Sequence, residues 1–189
     1  MTTRKIKDEA YSAADKIDFG LLHQHIHFLS GDIAEANISA AIKWIVYENA
    51  VNPEAILTLY VNSDGGILTE AFALIDVMHN SKCKIQTIGM GSICSAAFLI
   101  FVSGAKGKRF ISKNTSIMCH QYTDDASGKY HDLDARIKET KLTNDRMVAV
   151  LTRSTNLDAA AVAKKLLPPS DVWLTPEELV KYAAADQII

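Results

Sequence analysis

Cysteine is scarce here and has no paired spacing: Cys83, Cys94 and Cys119 are odd in number and form no CxxC. That excludes a disulfide framework and leaves three reduced thiols in a cytosol-like compartment as the expectation. Long apolar runs are missing too. The longest, Ala96–Val102, falls far short of the about 20 residues that cross a bilayer, so no membrane span is expected. Charge of one sign is not in excess, since 20 basic residues face 22 acidic ones for a net charge of −2. Such a balance gives no reason to expect a nucleic acid or a membrane surface as partner. Met1–Lys16 is polar and does not read as a secretory signal, so the expected location is cytoplasmic. Internal repeats and low-complexity segments are absent as well. What is there is a chain of 189 residues, 48% hydrophobic and 22% charged, the size and composition of one globular domain.

The first sixteen residues show no apolar period, so residues 1–16 are expected to form a flexible N-terminal arm and residues 17–189 a single domain. Ile26–Leu29 reads as a strand closed by Ser30-Gly31-Asp32. Ile38, Ala41, Ile42, Ile45 and Val46 recur at helical spacing and predict a buried helix face. Ala55–Val61 is a second strand running into Asn62-Ser63-Asp64-Gly65-Gly66, and the next helix points Leu68, Phe72, Ile75 and Met78 inward. Lys84–Gly89 follows as a strand, Ser95–Val102 as a buried helix, and Arg109–Ile111 and Ser116–Cys119 as short strands. This alternation predicts an α/β fold, with helices packed on a largely parallel sheet. Beyond His120, Gln121–Tyr130 reads as a polar loop or ribbon and Asp132–Thr152 as a long charge-rich helix with sparse apolar contacts. Thr175-Pro176-Glu177-Glu178 is a helix start, with a hydroxyl cap, proline in the first turn and an acid at the third position.

Three segments carry candidate chemistry. Gly65 and Gly66 stand between a strand and a helix, where glycines allow a sharp turn that presents backbone N–H groups to a developing oxyanion. An ordinary strand-to-helix turn is the commoner role for such a pair. Gly91-Ser92-Ile93-Cys94-Ser95-Ala96-Ala97 surrounds possible nucleophiles with small residues at a helix start, and locally Ser92, Cys94 and Ser95 all remain open. His120 closes a strand, where α/β folds place functional groups, and Asp171 precedes the capped helix. His23, His25 and His27 would share one face of a strand, which raises metal binding. No cysteine or acid cluster supports it, so a surface strand with incidental histidines is the better reading and no metal or cofactor is expected. Lys106-Gly107-Lys108-Arg109 is too short for a nucleic-acid site and reads as a solvated turn.

Taken together these segments resemble the Clp protease proteolytic subunit (ClpP) family over nearly the whole chain. The resemblance lies in His27-Phe28-Leu29-Ser30-Gly31, Asn62-Ser63-Asp64-Gly65-Gly66, Gly104-Ala105-Lys106-Gly107-Lys108-Arg109-Phe110, Met118-Cys119-His120-Gln121 and Asp171-Val172-Trp173-Leu174-Thr175-Pro176-Glu177-Glu178. It implies a crotonase-like α/β fold with a protruding helical handle, for which residues 121–152 are the counterpart. It also implies a serine endopeptidase acting on unfolded polypeptide, with Ser95 as nucleophile, His120 as base, Asp171 as orienting acid, and Gly66 and Ala96 supplying the oxyanion hole. Ser92 and Cys94 do not fall on the family's nucleophile. The implied assembly is two stacked seven-membered rings, a tetradecamer enclosing a chamber. The implied partner is a separate AAA+ unfoldase of the ClpX, ClpA or ClpC type, docking at Val46, Tyr47, Tyr60 and Phe110. The N-terminal arm then becomes a possible axial loop. No GxxxxGK[ST] motif occurs, so ATP hydrolysis would belong to the partner.

The sequence departs from the family at several places. Asp64 stands where the family usually has proline, Tyr122 and Asp124-Asp125 replace a proline and a glycine pair, and Ser170 replaces an arginine. Thr58 and Asn80 replace aromatics of the docking pocket, which predicts weakened or retuned unfoldase binding. These departures keep two rivals in view: a catalytically weak or regulatory subunit of mixed rings, and a crotonase-type enzyme acting on acyl-CoA.

Overall fold

A computed structural model describes residues 11–189, and its frame is a sheet in which five strands run parallel in the order β1 (Ile26–Ser30), β2 (Ile56–Ser63), β3 (Lys84–Cys94), β4 (Arg109–Ile111) and β7 (Gln187–Ile188). β3 belongs to two neighbourhoods. Its first half pairs with β4, and its last residues, Ser92–Cys94, pair in parallel with β5 (Ser116–Cys119). β6 (Val172–Leu174) then runs antiparallel to β5. Strand β3 therefore extends past Gly89, the end expected from the sequence, to Cys94. Gly91 (φ +63°) absorbs an irregularity within the strand, which then resumes pairing at Ile93.

Helices cover the sheet where their sequences are apolar. In α2 (Glu35–Val51) Ile38, Ala41, Trp44 and Ile45 recur at i, i+3 and i+4 and are buried, whereas Val46 falls off this stripe and is exposed. α3 (Leu68–Asn80) buries Ala71, Leu74, Ile75 and Met78. α4 (Ala96–Val102) is apolar all round, and every one of its residues is buried, as a helix enclosed by other elements must be. α5 (Tyr130–Ser154) is about 37 Å long at 1.5 Å per residue. It packs through Thr143, Met147, Val150 and Leu151 near its C-terminal end, while its first turns, including Ile137, are exposed. α6 (Ala159–Lys165) starts at an Asp158 cap, and α7 (Pro176–Lys181) has the expected capping box between Thr175 and Glu178.

Three further expectations are corrected. The arm expected over residues 1–16 does not run to residue 16: α1 (Ala13–His23) begins with a capping box between Ser12 and Asp15, and residues 1–10 lie outside the described ones. Helix α1 buries none of its side chains, which is why no apolar period announced it. The three histidines do not share a strand: His23 ends α1, His25 sits at φ +59°, and only His27 is in β1, stacked on Trp44. Burial holds the His27 pKa below the ordinary histidine value. Arg109 is not part of a solvated turn. It is 2% exposed, donating from Nη2 to Asp186 Oδ1 at 2.6 Å, from Nε to Oδ2 at 2.9 Å and from Nη1 to the Ser154 carbonyl at 2.6 Å. This one side chain ties β4 to the end of α5 and to the C-terminal segment.

Candidate active site

Ser95 is the single residue between β3 and α4. Its backbone sits at φ +56°, ψ −122°, outside the regions an L-residue ordinarily adopts, which costs on the order of 1–3 kcal/mol. Such strain is tolerated because buried elements on both sides fix the turn: the Ser95 N–H donates to the Met118 carbonyl of β5 at 2.9 Å, and α4 is locked in the core. A strand-to-helix turn of this kind lifts a side chain off the end of a sheet.

His120 follows β5 directly. Because Cys94 pairs with Met118 in parallel, the chain ends carrying Ser95 and His120 emerge side by side. His120 Nε2 lies 2.7 Å from Ser95 Oγ, within hydrogen-bond reach across 25 residues of sequence. The two other local candidates have different surroundings. Ser92 Oγ donates to Asp64, and the buried Cys94 thiol lies 3.2 Å from Ser92 Oγ and 4.0 Å from the Ser116 carbonyl oxygen. Cys119, beside His120, is kept protonated because burial pushes its thiol up to about 12.

Asp171 immediately precedes β6. Cys119 pairs with Val172, so continuing the antiparallel register sets Asp171 opposite His120. Its side chain is exposed, and it makes no hydrogen bond or ion pair among the described residues. The structure thus joins Ser95 to His120 and leaves Asp171 adjacent without a bond. Gln121 links the two chain segments instead: its Nε2 donates to the Leu167 carbonyl at 2.8 Å, tying the turn after His120 to the stretch before Asp171.

Gly65 and Gly66 occupy positive φ values of +109° and +146°. A Cβ on Gly65 would lie 2.7 Å from Ser95 Cβ and 3.2 Å from Ala96 N; one on Gly66 would lie 2.4 Å from the Ile33 carbonyl oxygen. Only glycine permits this approach. The neighbouring backbone is held by Ile33, whose N–H donates to the Gly65 carbonyl and whose carbonyl accepts from Ile67 N–H, both at 2.8 Å. The N–H groups of Gly66 and Ala96 donate to no acceptor among the described residues, so both are free beside Ser95.

These groups open on one cleft of about 740 Å³, lined by Gly66, Ser95, Ala96 and His120 on one side and by Arg136, Glu139, Thr143 and Met147 of α5 on another. The polar segment after His120 is held to α5 by a bidentate pair between Asp124 and Arg136, joined by Thr140. Hydrogen bonding from Arg136 holds the Asp124 carboxyl below its usual range. Sequence reading missed Arg136 because a lone arginine on an exposed helix carries no local signal of a partner twelve residues away.

Tyr60 and Phe110 are in register with Phe28 and Ile88, forming one row across β1–β4, and Phe28 stacks on Tyr60 with centroids 4.7 Å apart. Tyr47 lines a groove with Phe28, His27 and Trp44, so Phe28 adjoins both, and Val46 is exposed on α2.

Compared with known families, residues 8–189 match the family model described as Clp protease. The chain belongs to the Clp protease family. As a Clp protease it is a peptidase of mixed α/β fold, and the match spans the sheet, the cleft and α5 alike. Among the described residues of this Clp protease, no helix is long and apolar enough to cross a membrane.

Proposed function

We propose that the chain is a serine endopeptidase that cleaves unfolded polypeptide within an oligomeric chamber. The observation that carries this reading is the 2.7 Å approach of His120 Nε2 to Ser95 Oγ beside two unused backbone donors. Ser95 Oγ attacks the peptide carbonyl carbon while His120 Nε2 takes its proton, and the carbonyl electron pair moves onto oxygen. The oxyanion accepts from the N–H groups of Gly66 and Ala96, where one donor is typically worth ~10²–10³ in rate. Collapse breaks the C–N bond, the amine leaves with the proton from His120, and the acyl group remains on Ser95. Water, deprotonated by His120, then releases the acid and restores the serine. Asp171 acts by accepting from His120 Nδ1–H, which requires its carboxylate to turn inward from its exposed position.

That requirement favours a second reading: a subunit weak or silent alone and active only in a mixed ring, where neighbouring copies bring Asp171 onto His120. Under either reading the subunits self-associate into heptameric rings, and a tetradecamer in the cytoplasm receives polypeptide from an AAA+ unfoldase. The row of exposed Phe28 and half-buried Tyr60 and Phe110, with exposed Tyr47 in the adjoining groove, supports an apolar docking surface for that partner.

Hydrolysis of fluorogenic short peptides by the purified protein and by Ser95→Ala tests the proposal, with native mass recorded on the same samples. The variant is expected to lose about 10⁴-fold in rate, as other triads do. Unchanged turnover in Ser95→Ala overturns it. Activity appearing only after mixing with an active family member supports the second reading.

A further inference from the structure

The irregularity in β3 is filled by side chains. Val61 pairs with Gly89 and Ser63 with Ile93, so β3 carries extra residues at 90–92 and the backbone ladder is interrupted there. Ser92 closes the gap with both of its donors. Its N–H donates to Asn62 Oδ1 at 3.0 Å, and its hydroxyl donates to Asp64 Oδ1 at 2.5 Å. Gly91 makes room for this, since a Cβ there would lie 2.4 Å from Asn62 Oδ1. Asn62 and Asp64 flank Ser63, whose hydroxyl accepts the Gly65 N–H at 3.1 Å. The glycine loop is therefore gripped on one side by Ile33 and on the other by Ser92, three residues before the nucleophile.

We infer that Asp64 and Ser92 form a latch that positions the oxyanion donor Gly66 relative to Ser95, so that both are positioning residues for peptide hydrolysis. A charge-assisted hydroxyl–carboxylate bond is short and directional, and it fixes the residue directly before Gly65-Gly66. It also commits the Asp64 negative charge to Ser92, where a freely rotating carboxylate would oppose an oxyanion forming nearby. Released, the loop would still bind a planar peptide carbonyl but would hold the tetrahedral oxyanion less well, and only the latter changes kcat.

The inference rests on the serine-peptidase reading, and its test separates the two. Steady-state hydrolysis of a short peptide, together with the affinity of a peptide boronate that mimics the tetrahedral intermediate, is measured for the wild type, Asp64→Ala, Ser92→Ala, the double variant and Asp64→Asn. Each alanine variant is expected to lose about tenfold in kcat, a fraction of the ~10²–10³ worth of a deleted donor, with KM within about twofold. Boronate affinity falls in parallel with kcat, and the double variant is no worse than either single one, because both remove the same bond. Asp64→Asn, which still accepts the Ser92 hydroxyl, recovers most of the loss. A wild type that hydrolyses peptide while both alanine variants keep its kcat overturns the latch alone, as does a loss confined to KM or additive in the double variant. A wild type that hydrolyses no peptide, either alone or mixed with an active family member, overturns the peptidase reading and the latch with it.

Discussion

At Gly66 a single methyl group would sit 2.4 Å from the Ile33 carbonyl oxygen, on a backbone at φ +146°. Gly66→Ala must therefore displace the one N–H that is free beside Ser95 in this loop, and a rate loss of ~10²-fold or more in peptide hydrolysis is expected. Wild-type turnover in a variant that retains its circular dichroism would show that Gly66 N–H holds no oxyanion. Neighbouring residues explain how much of the site was readable. Local sequence left Ser92, Cys94 and Ser95 open, because small residues at a helix start look alike. Family resemblance singled out Ser95, and in the structure it is Ser95 that meets a histidine, through a contact between residues far apart in the chain. The pairing of Ser92 with Asp64 was unreadable for the same reason, since it depends on the shifted register of two strands.

Among the elements, α2 and α4 were legible because burial and helical period coincide, and β4 and β5 because short apolar strands end at turn residues. β3 was read too short: its glycines weaken the strand locally, and pairing with β5 carries it on to Cys94. Helix α1 was missed because it rests on its Ser12–Asp15 cap and not on a buried face. Helix α5 acts on the cleft through its exposed half. Its Arg136 holds Asp124, and with it the segment that follows His120, so Arg136→Ala should loosen one wall of the cleft. Because the pair is exposed, its loss should leave the melting temperature nearly unchanged. The expected result is a KM for peptide raised about threefold with kcat nearly kept, the mark of lost ground-state binding. An unchanged KM would remove α5 from the list of substrate contacts.

At the scale of the whole molecule, Arg109 and Asp186 join the sheet to the chain's C-terminal segment, a link invisible in sequence because its partners lie 77 residues apart. Burial pushes the Asp186 carboxyl up, but hydrogen bonds from the Arg109 side chain and backbone outweigh it and hold the pKa below the usual range. A lowered folded-state value means that the stabilisation is complete above the ordinary carboxylate pKa of about 3.9 and fades as pH falls through the lowered one. Asp186→Asn should therefore be less stable than wild type at pH 7, by about 2 kcal/mol for a charge-assisted pair, and the gap should be narrower at pH 3. A gap unchanged between the two pH values would contradict the assignment. The same long-range logic governs the site, since Ser95 and His120 are placed by parallel pairing of β3 and β5. The most direct measurement is peptide mapping by mass spectrometry after treating the purified protein with a fluorophosphonate. The account predicts one adduct, on Ser95, that is lost in His120→Ala. An adduct on Ser92 or Cys94, or equal labelling of Ser95 without His120, would contradict it.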